Sequence, residues 1–229
     1  MSSWTDRRRK LAESIAYGTA GWLQTKACEG LTGAMSEDAA KFIVAEIINA
    51  SHRFQAAVSK RPRNWPNKSK HRIDIAIEGR SSENSGDPYG FAELKWPRSS
   101  TTNDWVKARL QIVQDAVRVL TANTANLNAR FVVLGADEKA LAKLFTDKQK
   151  KDALEESRNA FASLFPKTAG QQGELLKTQL QTTFPGFASR LPIAADFNKV
   201  TATLLSRCDA SIGTKKVGSV FVWNIKKRR

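Results

Sequence analysis

An α/β fold, with a mixed central sheet flanked by helices, is predicted from three observations. Residues Arg72-Ile73-Asp74-Ile75-Ala76-Ile77-Glu78 alternate strictly, which is the period of a strand with Ile73, Ile75 and Ile77 on one face and Asp74 on the other. The run Arg130 to Ala136, Arg-Phe-Val-Val-Leu-Gly-Ala, has the short apolar character of a strand buried on both faces. Before it, Trp105, Ala108, Ile112, Asp115/Ala116 and Val119 trace a helix from about 103 to 122, with Ile112, Ala116, Val119 and Leu120 as its buried face. A strand, a helix and a second strand in that order form a crossover, right-handed if the strands are parallel.

The other elements follow in order. Leu11, Ile15 and Trp22 give helical spacing across residues 7 to 26, interrupted by Gly18 and Gly21. A second helix runs from about 37 to 51: Ser36 is a good N-cap, Glu37 and Asp38 suit the positive helix end, and Phe42, Ile43, Ile47 and Ala50 make its apolar stripe. Glu46 lies at the edge of that stripe. A short strand over Arg53 to Ser59 leads into a polar loop, Lys60 to Lys70, with two prolines. After a turn-rich stretch from Gly79 to Pro88, Tyr89 to Trp96 is a strand ended by Pro97. Helices are expected near 137 to 146, 150 to 165 and 171 to 183, and strands over Val200 to Arg207 and Gly218 to Ile225, separated by the turn-prone Asp209 to Gly213. The length suits one domain over residues 1–229, with its core at about 36–136.

Thirty-seven Lys and Arg against twenty-two Asp and Glu give a formal charge of +15, which concentrates polyanions at the surface and makes nucleic acid the first partner to consider. The bland alternative is a solvated basic surface. Cys28 and Cys208 stand far apart with no Cys or His at ligand spacing, so neither a zinc site nor a disulfide framework is indicated. The basic opening is followed by too interrupted an apolar stretch for a signal peptide, and no segment could span a membrane, so a cytoplasmic protein without membrane partners is expected.

In the strand from 89 to 96, residues two apart share a face, so Glu93 and Lys95 point one way while Leu94 and Trp96 point the other. If the Asp74 strand pairs with this one, two carboxylates and an amine come together, and Glu46 can reach towards them. Carboxylates held so close repel each other unless a divalent cation neutralises them, and hard oxygen ligands suit magnesium.

Asp74, nineteen residues before the tripeptide Glu93-Leu94-Lys95, resembles the motif of the PD-(D/E)XK nuclease superfamily. Ile73 stands where the family's name has proline. The resemblance implies a restriction-endonuclease-like αβββαβ core over roughly 36 to 136, and a magnesium-dependent deoxyribonuclease of restriction or phage-defence type, with manganese able to substitute. It implies that Asp74, Glu93 and the backbone carbonyl of Leu94 ligate the metal, that Lys95 orients water and stabilises negative charge, and that Glu46 holds a water or a second ion. Gln114, next to Asp115 and one turn before Arg118 on the following helix, could contact the site. Cutting both strands of DNA normally takes two such sites, which is compatible with a homodimer.

The loop from Lys60 to Lys70 sets Lys60, Arg61, Arg63, Lys68 and Lys70 around Trp65, a pattern that suits phosphate contacts plus a stacking ring; an exposed hairpin loop is the plainer reading. The alternative to a nuclease is a non-catalytic nucleic-acid-binding protein that keeps the fold.

Overall fold

The computed structural model describes residues 4–31, 36–51, 53–60, 62, 65, 72–80, 89–100, 102, 104–122, 129–146, 152–184 and 197–228. Among them run, in order, α1 (Trp4–Cys28), α2 (Glu37–Asn49), β1 (Phe54–Lys60), β2 (Ile73–Gly79), β3 (Gly90–Lys95), α3 (Trp105–Thr121), β4 (Ala129–Asp137), α4 (Glu138–Phe145), α5 (Asp152–Leu164), β5 (Gln172–Leu176), α6 (Lys177–Thr183), β6 (Lys199–Ile212) and β7 (Lys215–Arg228). The seven strands form one mixed sheet in the order β1-β2-β3-β4-β7-β6-β5. Only β3 and β4, the two strands joined through α3, are parallel; every other neighbouring pair is antiparallel. The expected α/β class with a mixed sheet is the observed one.

Strand alternation divides the apolar core in two. Ile75, Ile77, Ala92, Leu94, Trp96, Phe131 and Val133 meet α1 and α2 on one side of the sheet. Ala76, Phe91, Val132, Leu134, Phe221 and Trp223 meet α3 to α6 on the other. The charged side chains of β2 and β3 therefore belong to the α3 side, where the sequence alternation put them.

Three sequence expectations are corrected. In α2 the buried residues are Ala40, Val44, Ala45 and Ile48, whereas Phe42 is 64% exposed. Apolar residues occur almost all round this helix, so periodicity alone favours the bulkier stripe. Packing selects the smaller one, and α2 lies so close to α1 that a Cβ on Gly18 would run into the Ile47 side chain. The expected helix over 171 to 183 begins as β5, in which Gly173 and Leu175 are buried and their neighbours exposed, the two-residue period of a strand. The closing strands are longer than expected and pair through Ile212 and Lys215, so the turn sits at Gly213-Thr214. Gly213 supplies there the positive φ, 57°, that a two-residue hairpin turn requires.

Gly173 brings β5 against the end of α5, where a Cβ would strike the carbonyl oxygens of Ser163 and Leu164. Backbone cannot yield as a flexible side chain can. Gly173→Ala is expected to cost about 1–3 kcal/mol, read as a lowered midpoint in thermal unfolding; an unchanged midpoint would show that β5 is not held against α5.

Candidate functional site

The ladder between β2 and β3 runs from Ile77↔Gly90 to Ile75↔Ala92. One residue further, Asp74 stands beside Glu93, and the Leu94 amide donates to Asp74 Oδ2 at 2.8 Å. The N-terminal turn of α2 comes in over this point. Ser36 caps it, its side chain accepting from the Ala39 amide, so that Glu37 and Lys41, one turn apart, project to the end of β3.

A closed circuit of charged groups results. Lys41 Nζ lies 3.0 Å from Asp74 Oδ1 and 3.4 Å from Glu37. Glu37 Oε1 is 3.2 Å from Lys95 Nζ, which is also 3.2 Å from Asp115 Oδ2. Asp115 Oδ1 meets Arg118 Nη1 at 3.0 Å, and Arg118 Nη2 meets Glu93 Oε1 at 2.7 Å. Glu93 closes the circuit beside Asp74, whose negative charge helps raise the Glu93 pKa. Every junction joins an acid to a base except the last, where two carboxylates meet. Asp38, mostly exposed, adds a further contact to Lys41 at 3.3 Å.

Burial sharpens the imbalance. Glu93 is 1% exposed and Asp115 2%, and Glu93 Oε1 and Asp115 Oδ2 carry no hydrogen bond despite their ion pairs. Burial first, then Asp115 and Asp74, push the Glu93 carboxyl well above the usual carboxylate range against the pull of Arg118. Asp115 is pushed up to about 6, again mainly by burial, with Lys95 and Arg118 opposing. For Lys95, burial favours the neutral amine, but Asp115, Glu37, Asp74 and Glu93 outweigh it and raise its pKa, so the ammonium keeps its proton at neutral pH. Lys95 is therefore a fixed cation here.

The expected trio of Asp74, Glu93 and Lys95 is thus brought together. Glu46 is not part of it, for it is exposed, and nine residues along a helix place it about 13.5 Å from Glu37 on the opposite side of the axis. Glu37 is the helix glutamate at the site. Leu94 turns its side chain into the opposite core layer and reaches Asp74 through its amide. Gln114 is buried on α3, and Gln111 lines the cleft that opens on Lys95 and Glu37, a space of about 370 Å³ bounded also by Trp96, Thr102 and Lys107.

Trp65 is not a stacking ring. It is 2% exposed and lies in the core beneath α3, its amide donating to the Pro62 carbonyl at 3.1 Å; burying so large a ring outweighs leaving it in water. Lys60 is paired with Glu78, while Arg61, Arg63, Lys68 and Lys70 lie outside the described residues.

Comparison with known proteins finds no matching family model, no similar curated protein and no similar solved structure. The site therefore stands on its own chemistry.

Among the described residues, no three His, Cys, Asp or Glu side chains converge closely enough to hold a metal ion. Two stand side by side, Asp74 and Glu93, on neighbouring strands, with Glu93 Oε1 turned to Arg118 Nη2 at 2.7 Å. Magnesium keeps several waters and is commonly bound by one or two carboxylates, so this pair fits such an ion.

Four participants lay outside the sequence expectation. Glu37 reads in the sequence only as a partner of the helix dipole, and nothing in the sequence singles out Lys41. Asp115 reads as a position on the stripe of its helix and, with Arg118, as a neighbour of Gln114, although an acid and a base three residues apart within the apolar face of Ile112, Val113, Ala116 and Val119 is a detectable signal of a buried pair.

Proposed function

We propose that this protein is a divalent-metal-dependent nuclease that hydrolyses phosphodiester bonds endonucleolytically in DNA, with magnesium at Asp74 and Glu93 and manganese able to replace it. The observation that carries this reading is the junction where two carboxylates meet in an otherwise alternating circuit, because a buried acid pair is stabilised by a proton or by a cation. The order α2-β1-β2-β3-α3-β4 supports it, being the αβββαβ order of the restriction-endonuclease-like core. A cytoplasmic setting and a homodimer, one site for each strand, belong to the same reading.

A divalent cation at this junction supplies neutralisation of the acid pair, polarisation of the phosphate and a water activated for attack. The chain's own residues do the rest. Asp74 is aligned by the Leu94 amide and by Lys41. Lys95, held between Glu37 and Asp115 and about one-fifth exposed, presents its ammonium to the cleft, where it stabilises negative charge developing on the phosphate. Its raised pKa favours that electrostatic role over abstraction of a proton. Glu37, half in the cleft and accepting from Lys95 at 3.2 and 3.3 Å, orients the ammonium.

The test is cleavage of plasmid, linear and single-stranded DNA in magnesium, manganese or EDTA by the native chain, Asp74→Asn and Lys95→Ala. Metal-dependent cutting by the native chain, lost in both variants, is the expected result; absence of cutting on every substrate would overturn it. One observation favours a second reading: Arg118 already neutralises Glu93 at 2.7 Å, as it would in a nucleic-acid-binding protein that no longer cuts. Retained DNA binding without any cutting is its signature.

A further inference from the structure

β3 ends at Lys95, opposite Leu134, while the parallel β4 continues to Asp137, and a second cleft of about 440 Å³ opens beside them. Its floor is apolar, made by Leu23, Trp96 and Val217, and it is separated from the cleft at Lys95 by the Trp96 ring, which lines both. Trp96 is fixed there, packed edge-on against Trp22 at 5.9 Å and lying over Gly135 so closely that a Cβ there would collide with it.

The rim carries both signs of charge, but the acids are engaged within the protein. Asp137 accepts from the Ser99 amide and hydroxyl, both at 3.1 Å, and from the Ala140 amide at 2.8 Å. Glu138 is paired with Lys216 at 3.1 Å. Lys139 and Lys215 are exposed on the same rim, with Arg98 beside them. A cationic rim over an apolar floor, next to a site where a phosphodiester would react, matches a polyanionic backbone whose sugars lie on the floor while its phosphates meet the rim.

We infer that this second cleft seats the sugar-phosphate backbone of the nucleic acid that flanks the reacting phosphate, with Lys139 and Lys215 on its phosphates, which rests on the nuclease reading above. A rival basic cleft, lined by Arg7, Lys10 and Arg53, measures about 380 Å³. It borders Phe54 at the start of β1, which packs on Tyr89 at the opposite end of β3 from Lys95. Tyr89 lies four residues from Glu93, roughly 13 Å along the strand, and the rival cleft shares no lining residue with the cleft at Lys95, whereas the second cleft shares Trp96 with it.

The experiment measures binding of a labelled DNA duplex by fluorescence anisotropy in EDTA, which separates binding from cutting, over about 50–200 mM salt. It compares the native chain with Lys139→Glu/Lys215→Glu and with Lys10→Glu/Arg53→Glu, two pairs with the same change in charge. The first pair is expected to weaken binding at least about tenfold and to flatten the dependence of log affinity on log salt by about 2, with a smaller loss in Lys139→Ala/Lys215→Ala; the rival pair changes both less. Equal effects, a larger effect of the rival pair, or no salt-dependent binding by the native chain would overturn the inference. Failure of the nuclease reading appears separately, as binding that obeys this pattern in a protein that never cuts.

Discussion

Glu93→Gln is expected to raise the thermal stability of the protein in EDTA at about pH 8 and, on the nuclease proposal, to lower the cleavage proposed above on the order of 10²-fold or more. The two effects have one cause. Glu93 is 1% exposed and faces another carboxylate, so its pKa in the folded protein lies well above its unfolded value. The folded state then holds more protons than the unfolded one, and stability falls as pH rises from the ordinary carboxylate range through the raised pKa. Asp115 contributes with the same sign, from about 4 up to about 6. Glutamine keeps the shape and the neutrality of the protonated acid, so it removes this loss; a gain of about 1–2 kcal/mol is typical when a strained functional group is relieved. For a chain of this size that is roughly 2–8 °C in melting midpoint. A lower midpoint at that pH would sink the idea, because it would make Glu93 and Arg118 a stabilising ion pair rather than one side of a repelling pair of carboxylates.

Arg109→Ala is expected to destabilise the fold by roughly 3 kcal/mol or more, a drop of about 6–12 °C in melting midpoint. The guanidinium is 2% exposed. Its Nε donates to the Leu144 carbonyl at 3.0 Å, Nη2 to the Lys143 carbonyl at 2.6 Å and Nη1 to Ser157 Oγ at 3.1 Å. One side chain on α3 thereby satisfies the C-terminal end of α4 and fastens α5, and alanine would strand those acceptors in a core that water does not reach. Lysine keeps the charge but cannot donate in three fixed directions, so Arg109→Lys is expected to recover only part of the loss. A change below about 1 kcal/mol would show that these helices are held by apolar packing alone.

Much of the architecture was legible from period and punctuation. Alternation around Asp74 and the apolar run ending at Ala136 located β2 and β4 to within a residue or two, because side-chain direction in a strand depends only on position along the chain. That same rule placed Glu93 and Lys95 on one face and Leu94 and Trp96 on the other. Period failed where composition was ambiguous. β5 is only five residues long, and its two buried positions fit the start of a helix as well as a strand until the sheet edge is present to pair with it.

The site was half legible for a related reason. Asp74, Glu93 and Lys95 lie on adjacent strands, so local geometry was enough to bring them together. Glu37 and Glu46 are both helical glutamates near apolar residues, and choosing between them requires knowing how α2 is rotated about its own axis, which depends on α1 and the sheet. Trp65 shows the same limit from the other side: a tryptophan among lysines and prolines reads as a surface ring, and only the space beneath α3 shows that it is buried. The sequence by itself determined the strand faces, the crossover through α3 and the acid-acid-lysine set, since these follow from covalent order. Tertiary structure alone decided that Lys41, Asp115 and Arg118 complete the circuit and that Asp74 and Glu93 meet without a base between them, because electrostatic energy depends on distances through space that covalent order leaves open.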